Sequence, residues 1–232
     1  MEDRIILGID NSLDFLNIVI ASDNRIIEER RIGNMRIPSG VIGTEVSEML
    51  SSNNFTFENV RAIIVTLGPG SFTGIRVALA FCKGIASGMN VPITGIPTLD
   101  VLASPFSFME NHFLCPLIDA KKNEVFCSLY FVTHGKIERI REYTAIKPEH
   151  IKEFVNMPCI CFGTGVNVCE KHLLDIGKSI IIDKGYSKNI TGEAIIKEGL
   201  KKSSSMSAMT DSLMPIYGRR SEAEIKFNVS LT

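Results

Sequence analysis

Apolar residues recur along the chain with two different periods. Short apolar runs bounded by turn chemistry predict strands at RIILGI (4–9), FLNIVIA (15–21) and RIIEERRI (25–32). Asp10-Asn11-Ser12 and Asp23-Asn24 supply the turns between them. Residues 33–40 read as a loop. Ile42, Val46, Met49 and Leu50 then fall at i, i+4, i+7 and i+8, one face of a helix over about 41–52. RAIIVTL (61–67) is continuously apolar, as a strand buried on both faces requires. A glycine-rich stretch leads into a second helix over roughly 73–88. A short strand, VPITG (91–95), and a helix opening on Pro97 (97–104) follow.

The pattern then repeats. HFLCPLID (112–119), EVFCSLYFV (124–132) and KIERIREYT (136–144) predict three strands, with Gly135 at a turn. PEHIKEFVN (148–156) predicts a helix, MPCICF (157–162) a buried strand, and VNVCEKHLLDI (166–176) a helix after Gly163-Thr164-Gly165. Strand one ends in Asp both times (Asp10, Asp119), and strand four is followed by Gly-x-Gly both times. Two βββαβα halves predict an α/β fold of the ribonuclease-H-like, actin-like (ASKHA) class, shared by actin, sugar kinases and the heat-shock chaperone ATPase. The expected organisation is a first half over 1–105, a smaller second half over 106–190, and a C-terminal segment over 191–232 that packs back on the first half. That segment opens with TGEAIIKEGLKK (191–202), a helix capped by Thr191, after a strand at SIIID (179–183). SSSMSAMTDS (203–212) reads as a flexible connector, with a short helix near Met206 as the alternative. MPIYGRRSEAEIKF (214–227) is expected on the surface.

Composition narrows the function classes. Of 232 residues, 45% are hydrophobic and 22% charged, and the formal net charge is −1, so the basic excess of a dedicated nucleic-acid binder is missing. The pairs Arg30-Arg31, Lys121-Lys122, Lys201-Lys202 and Arg219-Arg220 read as solvated faces and turn ends. The start, MEDRIILGID, lacks signal-peptide features, and no apolar run approaches the roughly 20 residues of a membrane helix. A cytoplasmic chain with no membrane partner is expected. Its cysteines (82, 115, 127, 159, 161 and 169) include no C-x-x-C and read as reduced core residues. Cys159 and Cys161 share one strand face, but no His or further Cys stands at ligand spacing for a metal.

LGPGSFTGIR (67–76) looks at first like a phosphate loop. A P-loop needs Gly-x-x-x-x-Gly-Lys-Ser/Thr. Counting from Gly68 puts Thr73 at the second Gly, counting from Gly70 puts Ile75 there, and no Lys follows either. The dinucleotide pattern fails because its third Gly, Gly74, comes one place late. The stretch does fit a strand-to-helix turn. Gly68 and Gly70 can take positive φ, Pro69 fixes one φ, and Ser71 or Thr73 can cap the helix. Exposed N–H groups at such a helix start can still hold an anion, so that alternative stays open. In the helix itself Arg76, Ala80, Lys83 and Ser87 form one narrow stripe, and the rest is apolar or small. Such a helix is buried in its own core or packed against another chain, and the pattern does not choose between them.

LGPGSFTGIRVALAFCKGIA resembles the characteristic segment of the bacterial TsaB (YeaZ) family. ILGIDNSLDFLNIVI resembles that family's opening hairpin, with Asp10-Asn11-Ser12 where Asp-Thr-Ser is usual. PLIDAKKNEVFCSLYF and PIYGRRSEAE resemble its middle and its Pro-x-Tyr-x-Arg ending, with Pro215, Tyr217 and Arg219 in the matching places. The resemblance implies a partner subunit rather than a catalyst. Its paralogue TsaD transfers a threonylcarbamoyl group to adenosine 37 of tRNAs that read codons beginning with A. A small ATPase, TsaE, binds near the junction, and TsaC or its relative makes the adenylate donor. ATP and metal are thus implied on partner subunits, with no cofactor on this chain, and tRNA is reached only through the complex. The helices at 41–52 and 73–88 are implied to form the subunit interface, with a homodimer as a further possibility. The candidates there are Val46, Met49, Leu50, Arg76, Ala80 and Lys83, beside the family turn at Gly68, Pro69, Gly70, Ser71, Thr73 and Gly74. The first helix, VIGTEVSEMLSS, departs from relatives that carry a His near its Gly43-Thr44.

Two other readings compete. A small actin-like kinase or ATPase would use Asp10 and Asp119 near a Mg-nucleotide, since paired acidic residues suit metal–phosphate chemistry. The favoured reading is that both Asp residues cap turns, because Asp is a common turn residue. A metal-dependent peptidase would need a ligand set, and no two of His112, His134, His150 and His172 stand four apart.

Overall fold

The computed structural model describes residues 4–33, 40–177, 180–183, 189–202 and 212–218. Most of the expected connector, with its helix near Met206, lies outside the described residues. So do residues 34–39 of the expected loop and the tail from Arg219 onward.

Two compact units emerge: Met1–Ser104 with Asn189–Pro215, and Pro105–Lys188 with Ile216–Thr232. In the first, β1 (Ile5–Asp10), β2 (Phe15–Ser22) and β3 (Arg25–Gly33) form an antiparallel meander. Asp23, with φ 52°, closes the tight β2–β3 hairpin that Asp23-Asn24 predicts. Helix α1 (Val41–Ser52) carries the chain across to β4 (Val60–Thr66), which runs parallel beside β1. Helix α2 (Phe72–Met89) then leads to β5 (Ile93–Ile96), and α3 (Thr98–Ala103) follows. The sheet order is β3-β2-β1-β4-β5. Every residue of the central β1 is buried, which explains its unbroken apolar run.

The second unit repeats the order. β6 (Phe113–Lys121), β7 (Glu124–Thr133) and β8 (Lys136–Ile146) form a meander. A short helix, α4 (Ile151–Phe154), leads to β9 (Cys159–Phe162), and α5 (Val166–Leu174) to β10 (Ile180–Asp183). Read from its other edge, the order β8-β7-β6-β9-β10 is that of the first sheet. The duplicated α/β arrangement expected from the sequence is therefore the observed one. Edge strands β3 and β8 are rich in charged residues, which discourage edge-to-edge association.

Helix α6 (Gly192–Lys202) lies against β1, β2, β4, β5 and α3 of the first unit. Its approach is close: a Cβ on Gly199 would collide with the side chain of Ile64. Glu29 on β3 accepts from the Gly192 N–H at 2.8 Å and so satisfies a free donor at the helix start. Leu213 packs beside Gly95 on β5. All six cysteines are free and buried, and five of them share the core of the second unit. Among the described residues no helix is long and apolar enough to cross a membrane.

Candidate functional site

β1 and β4 run parallel, with Ile9 beside Val65, so the β1–β2 turn and the β4–α2 loop meet at one end of the first sheet. Asp10 sits there with no exposed surface. Its Oδ1 accepts from the Ser12 N–H (3.0 Å), the Ser12 hydroxyl (2.5 Å) and the Thr66 hydroxyl (2.6 Å). Its Oδ2 accepts from the Asn17 side-chain amide at 3.1 Å. Burial raises the Asp10 carboxyl above its ordinary value, and the donors from Ser12, Thr66 and Asn17 act against that shift. The carboxylate spends its lone pairs on its own chain. It also lies at the opposite end of the sheet from a cavity of about 300 Å³ lined by Arg4, Glu58, Arg61, Asn90 and Pro92.

The glycine loop rests on this turn. The Ser71 N–H donates to the Ser12 carbonyl at 2.7 Å, and the Asn11 side-chain amide donates to the Gly74 carbonyl at 3.2 Å. A Cβ at Gly70 would collide with the Ser12 carbonyl oxygen, and one at Gly74 with that of Asn11. Close backbone approach therefore requires glycine at both places. Gly68 has φ 99°, and its carbonyl accepts from the Thr98 N–H at 2.8 Å. The Gly68–Pro69 bond is cis. Ser71, not Thr73, caps α2: its hydroxyl accepts from the Gly74 N–H at 3.2 Å. The Ser71 and Gly74 N–H groups are thus committed within the chain, which removes two of the helix-start donors that an anion cradle would use.

The second unit builds the same junction with other chemistry. The Gly165 N–H donates to the Leu117 carbonyl at 2.8 Å, and the Asp119 N–H donates to the Thr164 hydroxyl at 3.1 Å. The Asp119 carboxylate accepts from the Lys121 N–H (2.8 Å) and from the Lys121 ammonium (2.9 Å). Both candidate acids therefore serve as turn caps within their own units. Among the described residues no group of three or more His, Cys, Asp or Glu could hold a metal ion.

Helix α2 has two unlike faces. Gly74, Ile75, Ala78, Leu79, Cys82 and Ala86 are buried. Phe72, Thr73, Arg76, Ala80, Gly84 and Ser87 are exposed, and Lys83 is half-buried. The Arg76 guanidinium lies over the Phe72 ring, 4.0 Å from its centroid, and Phe72 keeps 45% of its surface exposed. The exposed stripe is the one formed by Arg76, Ala80, Lys83 and Ser87.

Helix α1 requires a correction. Val46, Met49 and Leu50, expected at a subunit interface, have at most 1% exposure. Their spacing marks the face that α1 buries inside the unit, so they are not available on its surface. Its outer side is polar. Arg30, read as part of a solvated basic pair, instead pairs with Glu28 of its own strand at 2.5 Å and reaches Glu45 at 3.6 Å and Glu48 at 3.9 Å on this helix.

Sequence reasoning also missed Asn17 and Thr66. Each is a polar residue within or ending an apolar strand, in FLNIVIA and RAIIVTL, and that interruption was the available signal.

Comparison with known proteins places this geometry. A family model described as TsaD, tRNA N6-adenosine threonylcarbamoyltransferase, matches residues 39–227. The tRNA threonylcarbamoyladenosine biosynthesis protein TsaB of Bacillus subtilis is 25% identical, over 96% of this chain and 97% of its own length. The structure of YeaZ from Pseudomonas aeruginosa superposes with a TM-score of 0.77 at 19% identity, covering 92% of this chain and 99% of that one. A Bacteroides thetaiotaomicron protein with an actin-like ATPase fold superposes at 0.50 with 9% identity, over 84% of this chain and 96% of that one.

Proposed function

We propose, because the chain belongs to the TsaB (YeaZ) branch of the tRNA N6-adenosine threonylcarbamoyltransferase family, that it is a partner subunit in the formation of threonylcarbamoyladenosine on tRNA. Its partner is a TsaD-like paralogue, which carries out the transfer to adenosine 37, and a TsaE-like ATPase acts on the pair. The chain brings no nucleotide or metal of its own. ATP and metal reside on the partners, and tRNA is reached through the complex. Pairing of two copies through the same face is the alternative assembly.

The observation that carries this reading is the state of Asp10. An actin-like catalyst needs a carboxylate turned toward metal and phosphate. Here that carboxylate is fully buried and bonded to Ser12, Thr66 and Asn17. What the same junction offers to the outside is the exposed face of α2, with Phe72, Arg76 and Ala80, and this is the proposed contact surface. A mixed face of small residues and two cationic side chains, with one stacked Arg–aromatic pair, suits a protein interface.

Reconstitution tests it. Purified chain, TsaD-like and TsaE-like proteins, tRNA and the adenylate donor are combined, and modified adenosine is measured. Modification should collapse when this chain is omitted. Equal modification without it would end the partner reading. Calorimetry with ATP and Mg²⁺ should show no micromolar binding to the chain alone.

A further inference from the structure

Two hydrogen bonds tie the first turn of α2 to the β1–β2 turn, and they flank the residues that turn exposes. The Ser71 N–H meets the Ser12 carbonyl at 2.7 Å, and the Asn11 amide meets the Gly74 carbonyl at 3.2 Å. Between those anchor points stand Phe72 and Thr73, and Arg76 stacks on the Phe72 ring at 4.0 Å. The two anchors differ in kind. Ser71 N–H is a helix-cap donor that needs a partner. The Gly74 carbonyl belongs to the helix ladder, so the Asn11 amide uses its second lone pair. Such a bond adds little to helix formation, but it fixes how the turn is rotated about the helix axis. The anchor is itself rigid, because Ser12 donates twice to the Asp10 carboxylate. It is also close-packed, since neither Gly70 nor Gly74 leaves room for a Cβ.

We infer that Asn11 is a positioning residue: it sets the direction in which α2 presents Phe72 and Arg76 to the partner subunit, with Asp10 holding the neighbouring Ser12 in place. This rests on the reading of the exposed face of α2 as the contact surface. Asn11 is itself buried and reaches the partner only through α2.

The test compares affinity with stability. Binding of the purified TsaD-like paralogue is measured by calorimetry for the wild type, Asn11→Ala and Asn11→Asp, and urea midpoints are measured alongside. Asn11→Ala should weaken binding about tenfold while its midpoint stays near that of the wild type. Asn11→Asp keeps the shape but turns a carboxylate toward the Gly74 carbonyl, so it should weaken binding further. Leu173→Ala, in the core of the second unit, should lower the midpoint and leave affinity unchanged. In a Phe72→Ala, Arg76→Ala background, the effect of Asn11→Ala on affinity should disappear, because there is no longer a stacked pair to aim. Unchanged affinity in Asn11→Ala, or an undiminished effect in that background, overturns the inference and leaves the partner reading standing. If the wild type fails to bind the paralogue, both fall together.

Discussion

Replacing Asp10 separates a structural carboxylate from a ligand. In Asp10→Ala the hydroxyls of Ser12 and Thr66 can rotate to new partners, but the Ser12 N–H and the Asn17 amide cannot. Two fixed donors left unpaired in a buried site, at about 1–3 kcal/mol each, predict a loss of about 2–6 kcal/mol. Asp10→Asn behaves differently. Its carbonyl oxygen keeps the place of Oδ1 and all three donors there. Its new amide takes the place of Oδ2 and faces Asn17, whose own Oδ1 has no hydrogen-bond partner. A flip of the Asn17 amide then pairs the two groups, and the predicted change is within about 1 kcal/mol of zero. The assay is urea unfolding followed by circular dichroism. The pH dependence gives a second reading. Burial raises the folded-state carboxyl, so the native chain holds this proton more tightly than the unfolded chain does. The stabilisation from that proton is complete below the ordinary value of 3.8 and is lost as pH rises through the raised value. Wild type minus Asp10→Asn should show this downward slope. If Asp10→Asn is as unstable as Asp10→Ala, the negative charge itself is needed, and the self-contained network is wrong.

Further outcomes follow from burial. Leu50→Asp should abolish folding of the first unit, since it places an unpaired carboxylate in the core; Ala80→Asp should fold normally yet lose partner binding in sedimentation. A soluble, well-folded Leu50→Asp would return that residue to the surface. A thiol reagent should find no rapidly reacting cysteine in the native chain and six after denaturation; burial pushes the Cys82 and Cys127 thiols upward, which slows reaction further. Gly199→Val should destabilise the first unit by about 1–3 kcal/mol in urea melts, because its side chain has to displace Ile64 from under α6.

Local pattern carried most of the fold, because strand and helix periods are properties of neighbouring residues. The order of elements, the repeated halves and the turns at Asp23-Asn24 and Gly135 were all legible that way. The fate of a helix face was not. Periodicity marked Val46, Met49 and Leu50 as one face of α1 but could not say what covers it, and the cover turned out to be the unit's own interior. The glycine loop was readable as a turn, but not the partner that dictates its glycines. Ser12 and Asn11 lie about 60 residues upstream of Gly70 and Gly74. Thr66, 56 residues from Asp10, was hidden for the same reason.

The placement of α6 sets an order of assembly. The first unit is begun by the opening strands but lacks one wall of its core until residues 192–202 are made. Synthesis runs from the N-terminus, and a sheet face without its covering helix leaves apolar surface open. Every described strand of the second unit leaves the ribosome before that helix does. The half whose strands are made first therefore waits for its covering helix until the described strands of the other half have been made. The face that awaits α6, around Gly8 and Ile64, needs protection during synthesis until that helix is made.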